Sequence, residues 1–431
     1  MSGSALPLVM PKLQDEALER LKYTNLLQAL RNRRQRTVEL DNTPLDVTID
    51  LCTACHLRCP YCATGSGVLD RRAQTLSVDE HQRILDFCGE NIFTAWYFSN
   101  GEPLLNKRLA EIIVGAKRHG IFTVISTSLS VPLSDARLDA ILLSGLNILS
   151  CSIDGCTAEI YNQYRIGGDF ALVMRNLDRL IARKAELGLQ YPLIEWRFLV
   201  FKHNQHQQAE VARIALDKGV DMLEFFPGSA PVEPAPGAVA RMTEPLASPA
   251  LLGPAIAAGL KRRDTPLRQH SLDQSVSLSD PPRQHLSQKC DWLYFGGMYY
   301  PDGSVGPCCL LGNRDTDFGR RGETVAYRDI WNNAQYRAAR SCFTQPPPQE
   351  SRSVCAKCPG PEVQDRFFRQ SLRAYLLNAP EWFLKTAYEN GDQLFYPVDL
   401  YLMPDEFVAL GNYGRAMAKA AQLGGGFERI D

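Results

Sequence analysis

Residues 55–62 read Cys55-His-Leu-Arg-Cys59-Pro-Tyr61-Cys62. Three thiols fall within eight residues, at the spacing Cys-x3-Cys-x2-Cys. Cysteine thiolates hold iron–sulfur clusters, normally four to a cubane. Three ligands would leave one iron open to a further group. Zinc is the alternative, because Cys52 could join Cys55, Cys59 and Cys62 in a four-cysteine site.

The rest of the composition sets limits on what such a loop can serve. A chain of 431 residues is long enough for two or three domains with full cores. Its 45% hydrophobic and 22% charged residues are those of an ordinary globular protein. A net charge of −1 gives no nucleic-acid footprint. The basic run from Arg31 to Arg36 reads as the solvated face of an N-terminal helix. Residues 1–11 do not read as a signal peptide, and no apolar run approaches the ~18 residues of a membrane span. Thirteen cysteines without a secretion signal fit a reducing, cytoplasmic setting in which thiols serve as ligands. Four lie at 52–62 and six at 290–358, whereas Cys88, Cys151 and Cys156 stand apart as small buried residues.

Along the chain, residues 12–41 have a helical pattern, with Leu18, Leu21, Leu26, Leu27 and Leu30 on one face. Six β-rich runs follow, at 46–51, 95–98, 122–127, 148–154, 194–201 and 222–226. Helical stretches at 77–88, 109–119, 134–144, 170–187 and 205–217 separate them. Ser77-Val-Asp-Glu80 has the form of a capping box, and His203 or Asn204 could open the last helix. This alternation predicts an α/β fold, a parallel sheet built as a partial (β/α)6 TIM-like barrel. The cysteine loop follows the first strand, and parallel sheets bind ligands at the C-terminal ends of their strands. The expected organisation is an N-terminal helical segment at 1–44, the barrel at 45–226 and a Pro-rich connector at 227–289 with a helical piece near 250–263. A small Cys-rich module at 290–360 and a helical C-terminal region at 361–431 complete it. In that last region Phe367, Phe368, Leu372, Tyr375 and Leu376 share one side, and the final Gly-Gly-Gly reads as a frayed tail.

The cysteine loop resembles that of the radical S-adenosylmethionine (SAM) superfamily. The resemblance implies a [4Fe-4S] cluster on Cys55, Cys59 and Cys62, whose open iron chelates SAM and whose electron cleaves it to a 5′-deoxyadenosyl radical. Tyr61 would then pack near the adenine. Ser99-Asn100-Gly101-Glu102-Pro103 resembles the Gly-Gly-Glu-Pro motif, with Asn100 in place of the first glycine. It implies that this backbone and the Glu102 carboxylate bind the SAM amino group. Thr127 and Ser128 stand where many members have Thr-Asn-Gly, a stretch that touches SAM. Ser152-Ile-Asp154-Gly155 followed by Tyr161, Tyr164 and Arg165 is similar to the branch that carries C-terminal SPASM or twitch modules. In that branch Ser152 would bind the SAM ribose or carboxylate region and Arg165 its carboxylate. Asp154 reads as shaping the strand-to-helix turn.

Cys290, Gly303, Cys308 and Cys355-Ala-Lys-Cys358 match the opening of a SPASM domain. The resemblance implies one auxiliary [4Fe-4S] cluster on Cys290, Cys308, Cys355 and Cys358, closer to the twitch variant, with Cys309 and Cys342 as spares. A hairpin around residues 299–305 would bring the pairs together, and a four-cysteine zinc ribbon is the alternative. Three functions remain open. One is an oxidoreductase abstracting hydrogen from a small sugar, aminocyclitol or amino acid. Another is a peptide maturase that crosslinks or epimerises a ribosomal precursor. The third is a zinc-stapled binding protein. The first two need an external electron donor such as flavodoxin or ferredoxin. No partner nucleic acid or membrane is expected. The 44 residues before the first strand are too few for a winged-helix leader-binding domain. No catalytic base stands out: Lys202, His203, Glu195 and Asp291 are candidates by location alone. Glu195 and Arg197 share one strand face, either inward toward a ligand or outward beneath a helix.

Overall fold

The computed structural model describes residues 13–228, 267–269, 290–309, 311–344, 351, 353–357, 371–372, 375–376 and 378–389. Helix α1 (Glu16–Gln35) opens on Asp15, whose carboxylate accepts from the Ala17 and Leu18 amides, and ends on Arg36 in the left-handed region at φ 56°. The barrel then alternates as the sequence pattern predicts. Its strands are β1 (Asp46–Ile49), β2 (Thr94–Trp96), β3 (Phe122–Thr127), β4 (Ile148–Ser152), β5 (Leu193–Val200) and β6 (Met222–Pro227). Between them run α2 (Val78–Cys88), α3 (Leu109–Lys117), α4 (Asp135–Leu143), α5 (Ala158–Tyr164) with α6 (Phe170–Glu186), and α7 (Gln208–Lys218). All five contacts from β1 to β6 are parallel. The result is the partial (β/α)6 barrel.

Two additions extend the sheet. Within the stretch read as a connector, β7 (Leu267–Gln269) pairs in parallel with β6. From the Cys-rich module, β8 (Gly296–Tyr299) pairs in parallel with β1, then turns into β9 (Ser304–Gly306) and β10 (Gly319–Arg320). The order is β10-β9-β8-β1-β2-β3-β4-β5-β6-β7. The expected hairpin forms, with Gly303 at φ +81° making the turn. The helical piece near 250–263 and the terminal glycines lie outside the described residues.

Period-two alternation sorts the strand residues onto two faces. Val47, Ile49, Ala95, Tyr97, Ile125, Leu149, Cys151, Trp196, Phe198, Leu223 and Phe225 belong to the large core beneath the helices. Phe122, Val124 and Ile148 form a separate cluster with Trp96, Phe98 and Leu193, which fills the barrel interior. Glu195 and Arg197 alternate with Trp196 and Phe198, so they point inward. Cys88 and Cys151 are core residues, while Cys156 is half-buried.

Two local expectations change. Ser77 Oγ does accept from the Glu80 amide, at 3.0 Å. Glu80, however, spends its carboxylate on Arg321 (2.6 and 2.7 Å) and the Tyr327 hydroxyl (2.5 Å), tying α2 to the second module rather than closing the capping box. Arg33 in the basic run is not solvated. It pairs with buried Asp291 at 2.8 Å and lies over Phe295.

The N-terminal end of the barrel is plugged by the C-terminal region, where Leu372, Tyr375 and Leu376 are buried. The Tyr375 hydroxyl donates to Asp46 Oδ2 (3.1 Å) and Thr94 Oγ1 (3.0 Å), and its ring stacks on Phe93 at 4.3 Å. Trp96 Nε1 donates to the other Asp46 oxygen at 2.7 Å. Phe367 and Phe368 lie outside the described residues. Among the described residues no helix is long and apolar enough to cross a membrane.

Burial raises the Asp46 carboxyl from 3.8 to about 7 against those hydrogen bonds. The folded carboxyl holds its proton more tightly than the unfolded one. Its contribution to stability is therefore complete below about pH 4 and is lost as pH rises to about 7. Asp46→Asn removes this dependence. Relative to wild type, the variant is expected to gain stability between about pH 4.5 and about pH 8, as read by urea denaturation at each pH. An unchanged difference would contradict the assignment.

Candidate functional site

The loop after β1 carries Cys55, Cys59 and Cys62 to the C-terminal end of the barrel. Leu57, Cys59, Tyr61, Tyr164 and Phe201 pack as one small apolar cluster, with Cys55 and Cys62 against it. Tyr61 lies 6.3 Å from Tyr164 and 6.0 Å from Phe201, and Tyr164 lies 4.4 Å from Phe201. The aromatic before the third cysteine therefore forms part of a wall that screens the thiols from water. Phe201 was not singled out by sequence; its place at the end of β5 was the available signal.

The loop is held from several sides. The Arg58 amide donates to the Ile166 carbonyl at 2.8 Å, and the Glu102 amide to the Ala54 carbonyl at 2.8 Å. Gly65 sits against Cys59, where a Cβ would come within 2.5 Å of its amide nitrogen. Gly101, at φ +74°, leaves no room either, since a Cβ there would approach the Ala54 carbonyl to 2.7 Å and clash with the Cys52 carbonyl. Asn100 fills a role that glycine could not. Its amide and side chain both donate to Asp50, each at 2.9 Å, holding that buried carboxylate at the end of β1.

Glu102 is 2% exposed and its carboxylate is fully engaged within the protein. One oxygen accepts from Leu104 N (3.0 Å) and Thr127 Oγ1 (2.5 Å), the other from Ser128 N (2.8 Å) and Ser128 Oγ (2.6 Å). A carboxylate has about four acceptor positions, and all are used. This carboxylate forms a clamp between the loops after β2 and β3. Thr127 and Ser128 are its donors.

Arg165 likewise finds an internal partner. Its Nε donates to Asp154 Oδ2 at 2.6 Å, and Nη1 lies 3.9 Å from Cys59 Sγ. Asp154 is fully buried and also accepts from the Leu199 amide at 2.7 Å. Asp154 thus does more than shape a turn: it aims a guanidinium at the cysteine loop. Asn204, expected to cap a helix, instead donates to the Asp154 and Leu199 carbonyls at 3.0 and 2.9 Å, fastening the ends of β4 and β5.

Inside the barrel mouth, Ser152 Oγ lies 3.1 Å from Ser126 Oγ. Next to it Arg197 Nη2 bridges Glu195 and Glu224, at 3.3 Å each. Burial raises the Glu195 carboxyl, Arg197 opposes the shift, and Glu224 adds to it. This trio can hold a proton or a cationic group; only Glu195 and Arg197 were visible as candidates in the sequence. Lys202 and His203 follow β5 at the same end. Asp291 precedes β8, at the opposite end of the sheet, and pairs with Arg33; it is removed from the candidate bases.

The cysteine geometry bears on the choice between zinc and iron–sulfur. Burial raises the Cys55 and Cys59 thiols to about 12 and about 11. A bound metal would deprotonate them. Cys52 turns its sulfur to the Ala54 backbone, 3.3 Å from N and 3.4 Å from O. Thiolates on one zinc, each ~2.3 Å from it, must nearly touch. A cubane holds each thiolate on a different iron, and three thiols on one loop fit it.

The second module gives an independent indication. Helices α8 (Trp292–Phe295), α9 (Tyr327–Trp331) and α10 (Ala334–Ser341) surround the hairpin, and α10 packs on the 3-10 turn Val354–Lys357 that carries Cys355. Cys308 is buried, and Cys290 and Cys355 are half-buried. Cys342 bonds the Ala338 carbonyl (3.3 Å) and Ser351 (3.1 Å), and Cys309 is exposed. Cys358 lies outside the described residues. Arg340 is fully buried, yet among the described residues it donates to neutral acceptors alone: the Leu293, Val38 and Trp331 carbonyls and Asn332 Oδ1. Leaving a buried charge without its counter-ion costs about 3–5 kcal/mol, against about 1 kcal/mol for a typical hydrogen bond. The Tyr294 and Tyr336 hydroxyls nearby are buried without an acceptor among the described residues. An anionic, sulfur-rich group among these cysteines would answer both deficits, so the residues fit an iron–sulfur cluster.

Comparison with known proteins agrees. The radical SAM superfamily model matches residues 49–194, and the SPASM iron–sulfur cluster-binding domain matches residues 290–359. The chain belongs to the radical SAM superfamily. Its SPASM module follows the barrel. Its cofactors are a [4Fe-4S] cluster with SAM and an auxiliary iron–sulfur cluster in the SPASM module. Curated relatives include the PqqA peptide cyclases of Bradyrhizobium diazoefficiens, 29% identical over 44% of this chain and 48% of the relative, and of Rhodopseudomonas palustris, 33% over 42% and 46%. The matches thus span about half the length of these relatives. The fold resembles Streptococcus suis SuiB bound to S-adenosylmethionine, at TM-score 0.54 and 15% identity over 76% of this chain and 73% of SuiB.

Gly101→Ala would force the backbone out of its left-handed turn and into the Cys52 and Ala54 carbonyls, costing about 1–3 kcal/mol locally. The expected result is a large loss of iron from the cysteine loop with unchanged far-ultraviolet circular dichroism. Full iron content in the variant would show that the loop tolerates the methyl group.

Proposed function

We propose that this protein is a radical SAM peptide maturase, which crosslinks or epimerises residues of a ribosomally made precursor. The observation that carries it is the similarity of this chain to PqqA peptide cyclases at 29 and 33% identity over 44 and 42% of its length. The small-molecule reading, on a sugar or aminocyclitol, has no comparable support. SuiB has also been solved bound to its precursor peptide SuiA, with a fold like this one at TM-score 0.52.

Cys55, Cys59 and Cys62 would hold the SAM cluster, and Cys290, Cys308, Cys355 and Cys358 the auxiliary one. When bound, the first cluster and SAM supply a one-electron cleavage that yields a carbon radical able to take hydrogen from an unactivated C–H bond. The chain's own residues do the rest. Tyr61, Tyr164 and Phe201 exclude water from the thiols. Glu102, Thr127 and Ser128 fix the loops on which SAM would lie. Asn100, Gly101 and Ser152 face the same end, and Arg165, steadied by Asp154, brings a positive charge toward the cysteine loop. Glu195 and Glu224, sharing Arg197, can hold a proton released from the substrate. An external donor such as flavodoxin or ferredoxin would deliver the electron in the cytoplasm.

Replacing Cys55, Cys59 and Cys62 together by Ala is expected to abolish 5′-deoxyadenosine formation under dithionite. Continued formation would refute the assignment of these ligands. Replacing Cys355 and Cys358 by Ala is expected to spare SAM cleavage while the mass change on a co-expressed precursor peptide disappears. An unaltered mass change in that variant would leave the second module a structural role alone. Modification of a small sugar or amino acid, with none of the peptide, would favour the first class instead.

A further inference from the structure

The SPASM module contains two polar anomalies that its own packing does not resolve. Tyr336 is fully buried, and its hydroxyl has no hydrogen-bond partner among the described residues. Its ring is fixed by Phe318 (4.8 Å, edge-on) and Trp331 (4.9 Å), so the hydroxyl cannot swing to find one. One helical turn on, Arg340 lies over the same ring, 4.9 Å from its centroid, and buries a charge that among the described residues meets neutral acceptors alone. Buried orphans of this kind are rare, and each calls for a reason.

The cysteines supply one. Helix α10, which carries both residues, packs against the turn holding Cys355. Burial raises the Tyr336 phenol; Arg340 opposes this, and Cys355, Cys308 and the core thiol of Cys88 add to it. Tyr294, on α8, also has a hydroxyl without an acceptor among the described residues. The phenol of Tyr336 and the guanidinium of Arg340 thus belong to the helix that packs on the Cys355 turn.

We propose that Tyr336 donates its phenolic hydrogen to a sulfur of the auxiliary cluster and, with Arg340 as the nearby positive charge, sets that cluster's reduction potential. The proposal rests on the auxiliary-cluster reading above. Hydrogen bonds and positive charge near cluster sulfurs favour the reduced, more negative state, and so raise the potential. Tyr336 is a positioning residue and touches no substrate. It keeps the auxiliary cluster able to accept an electron.

The test uses the full chain reconstituted anaerobically with iron and sulfide, with redox titration followed by electron paramagnetic resonance. Tyr336→Phe is expected to shift the auxiliary signal to more negative potential while the SAM-cluster signal stays in place. It should also remove an exchangeable-proton coupling seen by electron–nuclear double resonance. Substituting 3,5-difluorotyrosine at 336 keeps the ring and strengthens the donor, and is expected to shift the potential the opposite way. This second variant holds even if the phenylalanine protein loads poorly. Two clusters with the same auxiliary potential in wild type and in the difluorotyrosine protein would overturn the proposal alone. A single cluster in wild type would overturn the auxiliary-cluster reading, and the proposal with it.

Discussion

The pairing of β8 with β1 is the constraint on which the molecule turns. Four residues of the second module, Gly296 to Tyr299, lie in register with Asp46 to Ile49. β1 is thus central, with the first barrel neighbour on one side and the SPASM hairpin on the other. The loop bearing Cys55, Cys59 and Cys62 leaves the top of this strand, and the hairpin leading to Cys308 grows from its partner. Both cysteine sets are referred to one rigid sheet. Arg71 strengthens the junction: it donates to the Gly312 carbonyl at 2.5 Å, pairs with Asp317, and lies over the Tyr300 ring. The Glu80 contacts with Arg321 and Tyr327 do the same from α2.

Buried carboxylates and guanidinia define the site more than apolar packing does. Each must have a partner, because an unpaired one would cost several kcal/mol. Glu102 answers this with four donors, Asp154 with Arg165 and the Leu199 amide, and Asp50 with Asn100. The loops that carry these groups have little regular structure of their own. Charge satisfaction substitutes for hydrogen-bond ladders as the source of their rigidity. The departure of Asn100 from the glycine of related motifs makes sense in these terms, since its side chain supplies a donor that glycine lacks.

The repeating parts of this fold could be read from the sequence, because local pattern determines them. The six βα units, the cysteine loop and the hairpin at Gly303 each have a short-range signature: alternation, spacing or a turn residue. What escaped was set by distant pairing. Nothing local in Gly296–Tyr299 says that it will join β1, and nothing in Leu267–Gln269 marks it as a seventh parallel strand. The same holds for the site. Residue types at Glu102, Arg165 and Asn204 suggested ligand contact or capping, yet each found a partner within the protein. Sequence order showed which residues reach the barrel mouth, but not which of them bind one another there. The inward turn of Glu195 and Arg197 became clear only when Trp196 and Phe198 were seen in the opposite core.

The position of β8 also has a consequence for the chain as it is made. Asp46–Ile49 must wait for Gly296–Tyr299, about 250 residues later, before its second edge is covered. Until then β1 presents unpaired amides and carbonyls beside a loop of reactive thiols. An uncovered edge of this kind can pair with the wrong chain, and contacts of such long sequence separation form slowly. The barrel half emerging from the ribosome is therefore the vulnerable species, and the later hairpin covers the edge of the strand that carries the cysteine loop.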